Sequence, residues 1–144
     1  MAEKKMRFRI ITPEKTKVDE DVRMVIMRCV DGEMGVMPGH KPLSTVLDYG
    51  VLRVFNNGAE NKIAVYGGLA MIKNNLLTVL TSGADWPEEI DYSQATADRE
   101  QARQRLQEKV DDMEIQNDEV LLRRALVQIE VSSQAIINEA VMEE

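Results

Sequence analysis

The backbone of this chain is most tightly constrained between Asp31 and Leu43, in the run Asp31-Gly32-Glu33-Met34-Gly35-Val36-Met37-Pro38-Gly39-His40-Lys41-Pro42-Leu43. Three glycines and two prolines within thirteen residues dictate the path, because Gly admits positive φ and Pro fixes φ. Apolar side chains at Met34, Val36, Met37 and Leu43 sit between those corners, and Val51, Leu52 and Val54 follow shortly after. The segment therefore reads as short strands joined by exacting turns, not as a flexible loop.

The same grammar extends on both sides. Met6, Phe8 and Ile10 alternate with Arg7 and Arg9, and Val22, Met24 and Ile26 share one face of the next run. Further strands are expected at 33–37, 43–47, 51–56, 61–67, 69–73 and 76–81. Thr12-Pro13, Asp31-Gly32, Asn56-Asn57-Gly58, Gly67-Gly68 and Asn74-Asn75 supply the turns between them. Many short strands with frequent turn signals predict an antiparallel β-sandwich or barrel over residues 1–86.

After Asp85-Trp86-Pro87 the period changes. Leu122, Ala125, Leu126, Ile129, Ser133, Ile136 and Ala140 form an apolar stripe at helical spacing, and Ala95, Ala102, Leu106 and Val110 form a narrower one. Asp91-Tyr92-Ser93-Gln94 and Asp111-Asp112-Met113-Glu114 look like capping boxes. An antiparallel hairpin of helices, about 92–109 and 113–140, is predicted for 87–144. Its small-residue seam buries little apolar area, at roughly 25 cal/mol per Å², which makes the hairpin a candidate for opening or moving as a unit.

Charge divides at the same place. Residues 1–86 carry 12 Lys/Arg against 10 Asp/Glu, and residues 87–144 carry 6 against 15. So acidic a helical part argues against a nucleic-acid partner. No apolar run approaches twenty residues, and the amino terminus leads into alternating residues without a signal or transit pattern. The single cysteine, Cys29, excludes an internal disulfide and reads as a small core residue.

Catalytic chemistry has little foothold. His40 is the only histidine, so no His-based metal cluster or relay can form, and its place among Pro38-Gly39 and Lys41-Pro42 suits a turn or a partner contact. Gly67-Gly68-Leu69-Ala70 lacks a following Gly-Lys-Ser/Thr and reads as a β-turn or bulge, not a phosphate cradle. The carboxylate pairs Glu88/Glu89, Asp111/Asp112 and Glu143/Glu144 fall in a linker, a cap and the tail, where solvation explains them. No metal site and no enzyme activity of the isolated chain are expected.

The Asp31–Leu43 run resembles the signature loop of the epsilon subunits of rotary ATP synthases, and the resemblance extends through Tyr66-Gly67-Gly68-Leu69 and Asn74-Asn75-Leu76-Leu77-Thr78-Val79-Leu80 into the helical tail. It implies a non-catalytic central-stalk subunit that couples ion translocation to ATP synthesis. Its β-sandwich would grip the gamma subunit and touch the membrane ring of c subunits, on the cytoplasmic face of the bacterial membrane. The implied contact loop is Asp31, Gly32, Glu33, Met34 and Gly35, with Glu33 as the polar partner of the ring and His40 near gamma. In that family the hairpin swings from the sandwich toward the catalytic beta and alpha subunits. Arg123 and Arg124 are the candidate inhibitory contacts there.

Some bacterial relatives bind ATP through Ile/Leu-Asp-x-x-Arg-Ala and further arginines. This chain reads Ile90-Asp91-Tyr92-Ser93-Gln94-Ala95, with Gln94 in place of the Arg, and Gln101 and Gln128 where two more are usual; Arg124 is kept. Neutral amides lack the charge and the fork that phosphate requires, so ATP binding is expected to be weak or absent and no cofactor is assigned. Arg99, Arg103 and Arg105 could compensate from shifted positions. A stand-alone β-sandwich adaptor or ligand sensor with mobile helices is the alternative reading. Co-purification with a large membrane-bound assembly separates the two.

Overall fold

The computed structural model describes residues 4–108 and 112–143, with side chains over 4–107 and 115–132. The chain divides into two compact units, Met1–Ala84 and Asp85–Glu144. The first contains strands β1 (Met6–Ile11), β2 (Thr16–Val22), β3 (Met24–Cys29), β4 (Gly32–Val36), β5 (Leu43–Asn56), β6 (Ala59–Lys73) and β7 (Leu76–Leu80), and β8 (Ala84–Asp85) closes the series. The order is β2-β1-β7-β6-β5-β3-β4, with β8 beside β6. Every ladder along that path is antiparallel except β1–β7, which is parallel.

The segments expected as separate strands at 43–47 and 51–56 are one strand, β5, and those at 61–67 and 69–73 are one strand, β6. Both run unbroken because they pair with each other in a single register from Leu43↔Ile72 to Asn56↔Ala59. Simple alternation fails in their middle, where Gly50, Val51 and Leu52 are buried in succession, as are Ile63 through Gly67. Such doubly covered stretches are where long strands pass between the two layers of a sandwich. Elsewhere alternation holds: Met6, Phe8 and Ile10, then Val25, Met27 and Cys29, then Leu77 and Val79 form the core. Cys29 is buried and free.

Two hairpins show how local chemistry sets register. Asn57 and Gly58 (φ 52° and 75°) join β5 to β6, and Asn74 and Asn75 (φ 52° and 61°) join β6 to β7. Both are two-residue turns with positive φ at each position, the kind whose twist matches the flanking strands. At the β2 edge, Asp19 accepts from Arg7 Nε (2.7 Å) and Arg9 Nε (3.1 Å), and these bonds hold its carboxyl below the usual range. Charged side chains along an exposed edge discourage further strand pairing.

The second unit begins with a 3-10 turn, Pro87–Glu89, in which Trp86 N–H donates to Glu89 Oε1 (2.9 Å). It continues with α1 (Tyr92–Glu108) and α2 (Asp112–Glu143). Ala95 and Ala102 are buried on α1, and Ala125, Val127, Val131 and Ser132 on α2. Leu126, expected in the apolar stripe, is 47% exposed, because the face turned to α1 runs instead through Leu121, Ala125 and Gln128. Near the far end of the hairpin an ion pair, Arg105 Nη1 to Asp118 Oδ1, measures 3.7 Å. Val110, the second capping box and the stripe positions Ser133, Ile136 and Ala140 have side chains outside the described residues.

Candidate functional site

Two places carry the expected site residues. The first is built on β3, β4 and the chain that follows. Cys29 pairs with Gly32, so Val30 and Asp31 form a tight turn between β3 and β4, and Gly32 takes φ 123° to close it. Asp31, Gly32, Glu33 and Gly35 are exposed along this hairpin and Met34 is half-buried. Glu33 stands opposite Arg28 in register, and Arg28 lies flat across Gly50 of β5: a Cβ built there would meet Arg28 Cδ at 2.7 Å. The missing side chain at Gly50 is what lets the arginine cross the strand.

His40 is not beside Glu33. The ladder places Glu33 near the Cys29 end of β3 and Val36 opposite Val25, so His40 follows from the other end of β4, roughly 13 Å away at 3.3 Å per residue. Met37 to His40 form a turn in which His40 N–H donates to Met37 O (3.2 Å), with Pro38 then Gly39 (φ 82°) at its corners. That is the arrangement a type II turn demands. His40 Nδ1 lies 2.8 Å from Lys41 O, a contact that needs the ring N–H on that nitrogen.

Asn75 holds this turn in place, a role that its position in a hairpin does not announce. Its Oδ1 accepts from Gly39 N–H (3.0 Å) and its Nδ2 donates to Lys5 O (2.8 Å). Asn75→Ala removes both bonds and puts a Cβ-branch-free but non-glycine residue at φ 61°. It should cost about 3 kcal/mol in denaturant unfolding, and Asn75→Gly, which loses the same bonds but suits the positive φ, about 2 kcal/mol.

At the Asp31 end an apolar row crosses the sheet. Val46 pairs with Leu69, Leu69 with Leu80 and Leu80 with Ile11, while Val30 N–H bonds Val46 O (3.1 Å). Val30, Val46 and Leu80 are 58%, 52% and 37% exposed. Such a row beside an acidic turn is a surface suited to a protein partner.

The second place is a cavity of about 420 Å³ within the helical unit. Ile90, Asp91, Gln94, Ala95 and Arg124, the motif positions, all line it together with Gln128, whereas Gln101 is exposed and does not. Asp91 caps α1, accepting from Gln94 N–H (3.1 Å). The expected capping box is only half formed, because the Gln94 amide donates forward to Asp98 Oδ1 (2.8 Å) rather than back to Asp91. Asp85, Glu89, Asp91 and Asp98 thus face the cavity with one guanidinium, Arg124. Arg123 is exposed and, at 3.6 residues per turn, points about 100° away from Arg124, so the two do not form one fork. Among the described residues no cluster of His, Cys, Asp or Glu could hold a metal ion.

Comparison with known proteins fits this architecture. Residues 5–87 match the family model described as ATP synthase, Delta/Epsilon chain, beta-sandwich domain, and residues 88–133 match its long alpha-helix domain. The chain is 36% identical over 129 residues to the ATP synthase epsilon chain of Desulforamulus reducens, covering 90% of this chain and 98% of that one. It is 34% identical over 125 residues to that of Caldicellulosiruptor bescii (87% and 91% covered). Among solved structures, a chain in the Euglena gracilis mitochondrial ATP synthase, OSCP/F1/c-ring, shares the fold with TM-score 0.77 at 24% identity, over 92% of this chain and 81% of that one. A sandwich with an Asp31–Leu43 loop, an alanine-seamed hairpin and relatives aligned along nearly their whole length lead to one conclusion: the chain belongs to the ATP synthase delta/epsilon family.

Proposed function

We propose that this chain, a non-catalytic epsilon subunit of an ATP synthase, works as a rotor part whose β-sandwich joins the gamma subunit to the ring of c subunits. The observation that carries this reading is the apolar row beside the Asp31–Glu33 turn, with Val30, Val46 and Leu80 exposed and Leu69 half-buried between them. An apolar strip supplies affinity, and an adjacent carboxylate, Glu33, supplies a polar contact that fixes orientation. The turn at His40, at the other end of β4, gives gamma a second contact, so that torque acts on two separated points. No helix among the described residues is long and apolar enough to cross a membrane. The subunit sits on the cytoplasmic face of the bacterial membrane through its partners.

The hairpin is the regulatory part. Its described seam is built from small side chains, Ala95, Ala102 and Ala125 with Val127 and Val131, and includes an exposed ion pair at 3.7 Å, a small barrier to opening. In an extended state Arg123 and Arg124 would meet carboxylates of the catalytic beta and alpha subunits. Acidic neighbours such as Glu130 oppose that contact, so inhibition is modest and weakens with salt. ATP does not stabilise the folded state, for reasons of charge at the cavity. Capture from native membranes tests the assignment: the full chain should retain gamma, c and the catalytic subunits, and Val46→Glu with Leu80→Glu should lose them. Retention of gamma and c by that double variant would remove the apolar row from the interface.

A further inference from the structure

A groove of about 440 Å³ lies on the sandwich away from the Asp31 turn, and its Met37–Pro38 rim belongs to the turn that carries His40. It is lined by Lys4, Arg23, Met24, Met37, Pro38 and Phe55. The β-register explains its shape. Val25, Val36 and Val54 enter the core, so their neighbours Met24, Met37 and Phe55 turn outward. Met24 pairs with Phe55, and Met37 follows Val36, the partner of Val25, which brings the three into one row across adjacent strands. At the spacing between strands that row is about 10 Å long.

The groove is formed in advance. Arg53, bound to Glu60 Oε1 through Nε at 2.6 Å, stacks over Phe55 with Cζ 5.3 Å from the ring centroid and holds the ring. Arg23 N–H donates to Phe55 O (3.0 Å), which fixes the strand exit that carries Arg23. Met37 is 60% exposed, and methionine side chains adapt to unbranched hydrocarbon better than branched ones do.

Its chemistry is that of an anionic amphiphile. Among the described lining residues four are apolar, two are cations, and none is acidic. A mostly apolar concavity of a few hundred Å³ with a few convergent polar groups has the character of a small-molecule site. We propose that it binds a single-chain carboxylate of the medium-chain fatty-acid class. The acyl chain would lie along Met37, Met24 and Phe55, with the carboxylate between Lys4 and Arg23. A nucleotide or free phosphate would leave the apolar row unused, and a cationic amphiphile would meet like charge.

Methyl NMR of the full chain labelled at its methionines tests this, with dodecanoate added below its micelle-forming concentration. The Met24 and Met37 methyls should shift saturably, while those of Met6 and Met27, buried in the core, stay fixed. Lys4→Glu with Arg23→Glu should weaken binding about tenfold, as should replacing the probe by dodecyltrimethylammonium. Met37→Ser, an exposed change that keeps both charges, should also weaken it. Vesicles of phosphatidylglycerol should leave the two methyls unshifted, since the proposed occupant is a free acid. Equal binding of the cationic probe, shifts that spread to Met6 and Met27, or shifts produced by the vesicles alone would each overturn the proposal.

Discussion

Titrated with magnesium-free ATP, the isolated chain is expected to show no binding with a Kd below about 1 mM, the level at which binding is worth only about 4 kcal/mol. The cavity explains why. Phosphate recognition needs permanent, forked positive charge, and one arginine, Arg124, must serve against four carboxylates at Asp85, Glu89, Asp91 and Asp98. Gln94 cannot substitute, since its amide is engaged by Asp98 at 2.8 Å. A hydrogen bond to a charged group is worth about 1.5–3 kcal/mol, so Gln94→Arg with Gln128→Arg should tighten binding by about a hundredfold or more. Gln101→Arg should do nothing, because that position is exposed and outside the cavity. Calorimetry on the three proteins checks this. Micromolar affinity in the parent chain would show that the carboxylates do not control the site.

Gly68→Ala is expected to destabilise the sandwich by at least about 3 kcal/mol. Gly68 has φ 128°, and a Cβ there would sit 2.0 Å from the carbonyl oxygen of Leu80 and 3.0 Å from Thr81 Cα. Those are backbone atoms held by the β6–β7 ladder, so no side-chain rotation relieves the clash. The neighbouring Gly67 is a matched control. It also has positive φ (74°), but its Cβ would meet the ring of Tyr49 at 3.3 Å and Leu47 O at an ordinary 3.7 Å, so Gly67→Ala should cost about 1 kcal/mol. For a domain of this size the larger loss lowers Tm by more than about 10 °C, readable by calorimetry. Equal Tm values for the two variants would contradict the close approach at Gly68.

These positions show what could be read from sequence and what could not. The Asn57-Gly58 and Asn74-Asn75 turns were legible because a two-residue hairpin needs positive φ at both positions, and the residues themselves declare it. The alternation of β1 and the helical tail were legible for the same local reason, whereas Val22, Met24 and Ile26 do not share one face: β2 ends at Val22, and Val25, Met27 and Cys29 carry the core side of β3. Gly67-Gly68 was readable as a turn or bulge. That β6 continues through it depends on partners far away, Leu47 and Leu80 among them, and the same holds for the merging of β5 across Gly50. Asn75 bonds a glycine thirty-six residues away, which no local pattern announces. Leu126 stands off the seam despite its place in the apolar stripe, because a narrow row of small residues turns α2 by alanine contacts, not by its largest apolar side chains. The Gln94–Asp98 bond is the exception, since an i, i+4 amide–carboxylate pair was visible in the sequence.

In the proposed rotor the sandwich alone couples rotation while the hairpin only restrains hydrolysis. The most direct measurement adds the full chain, or residues 1–86, back to membranes of its own source stripped of the epsilon subunit, and records ion-gradient-driven ATP synthesis beside ATP hydrolysis. Both proteins should restore synthesis to the same level, with hydrolysis higher in the membranes that received residues 1–86. If residues 1–86 remain folded yet restore no synthesis, the division of labour between the two units is contradicted.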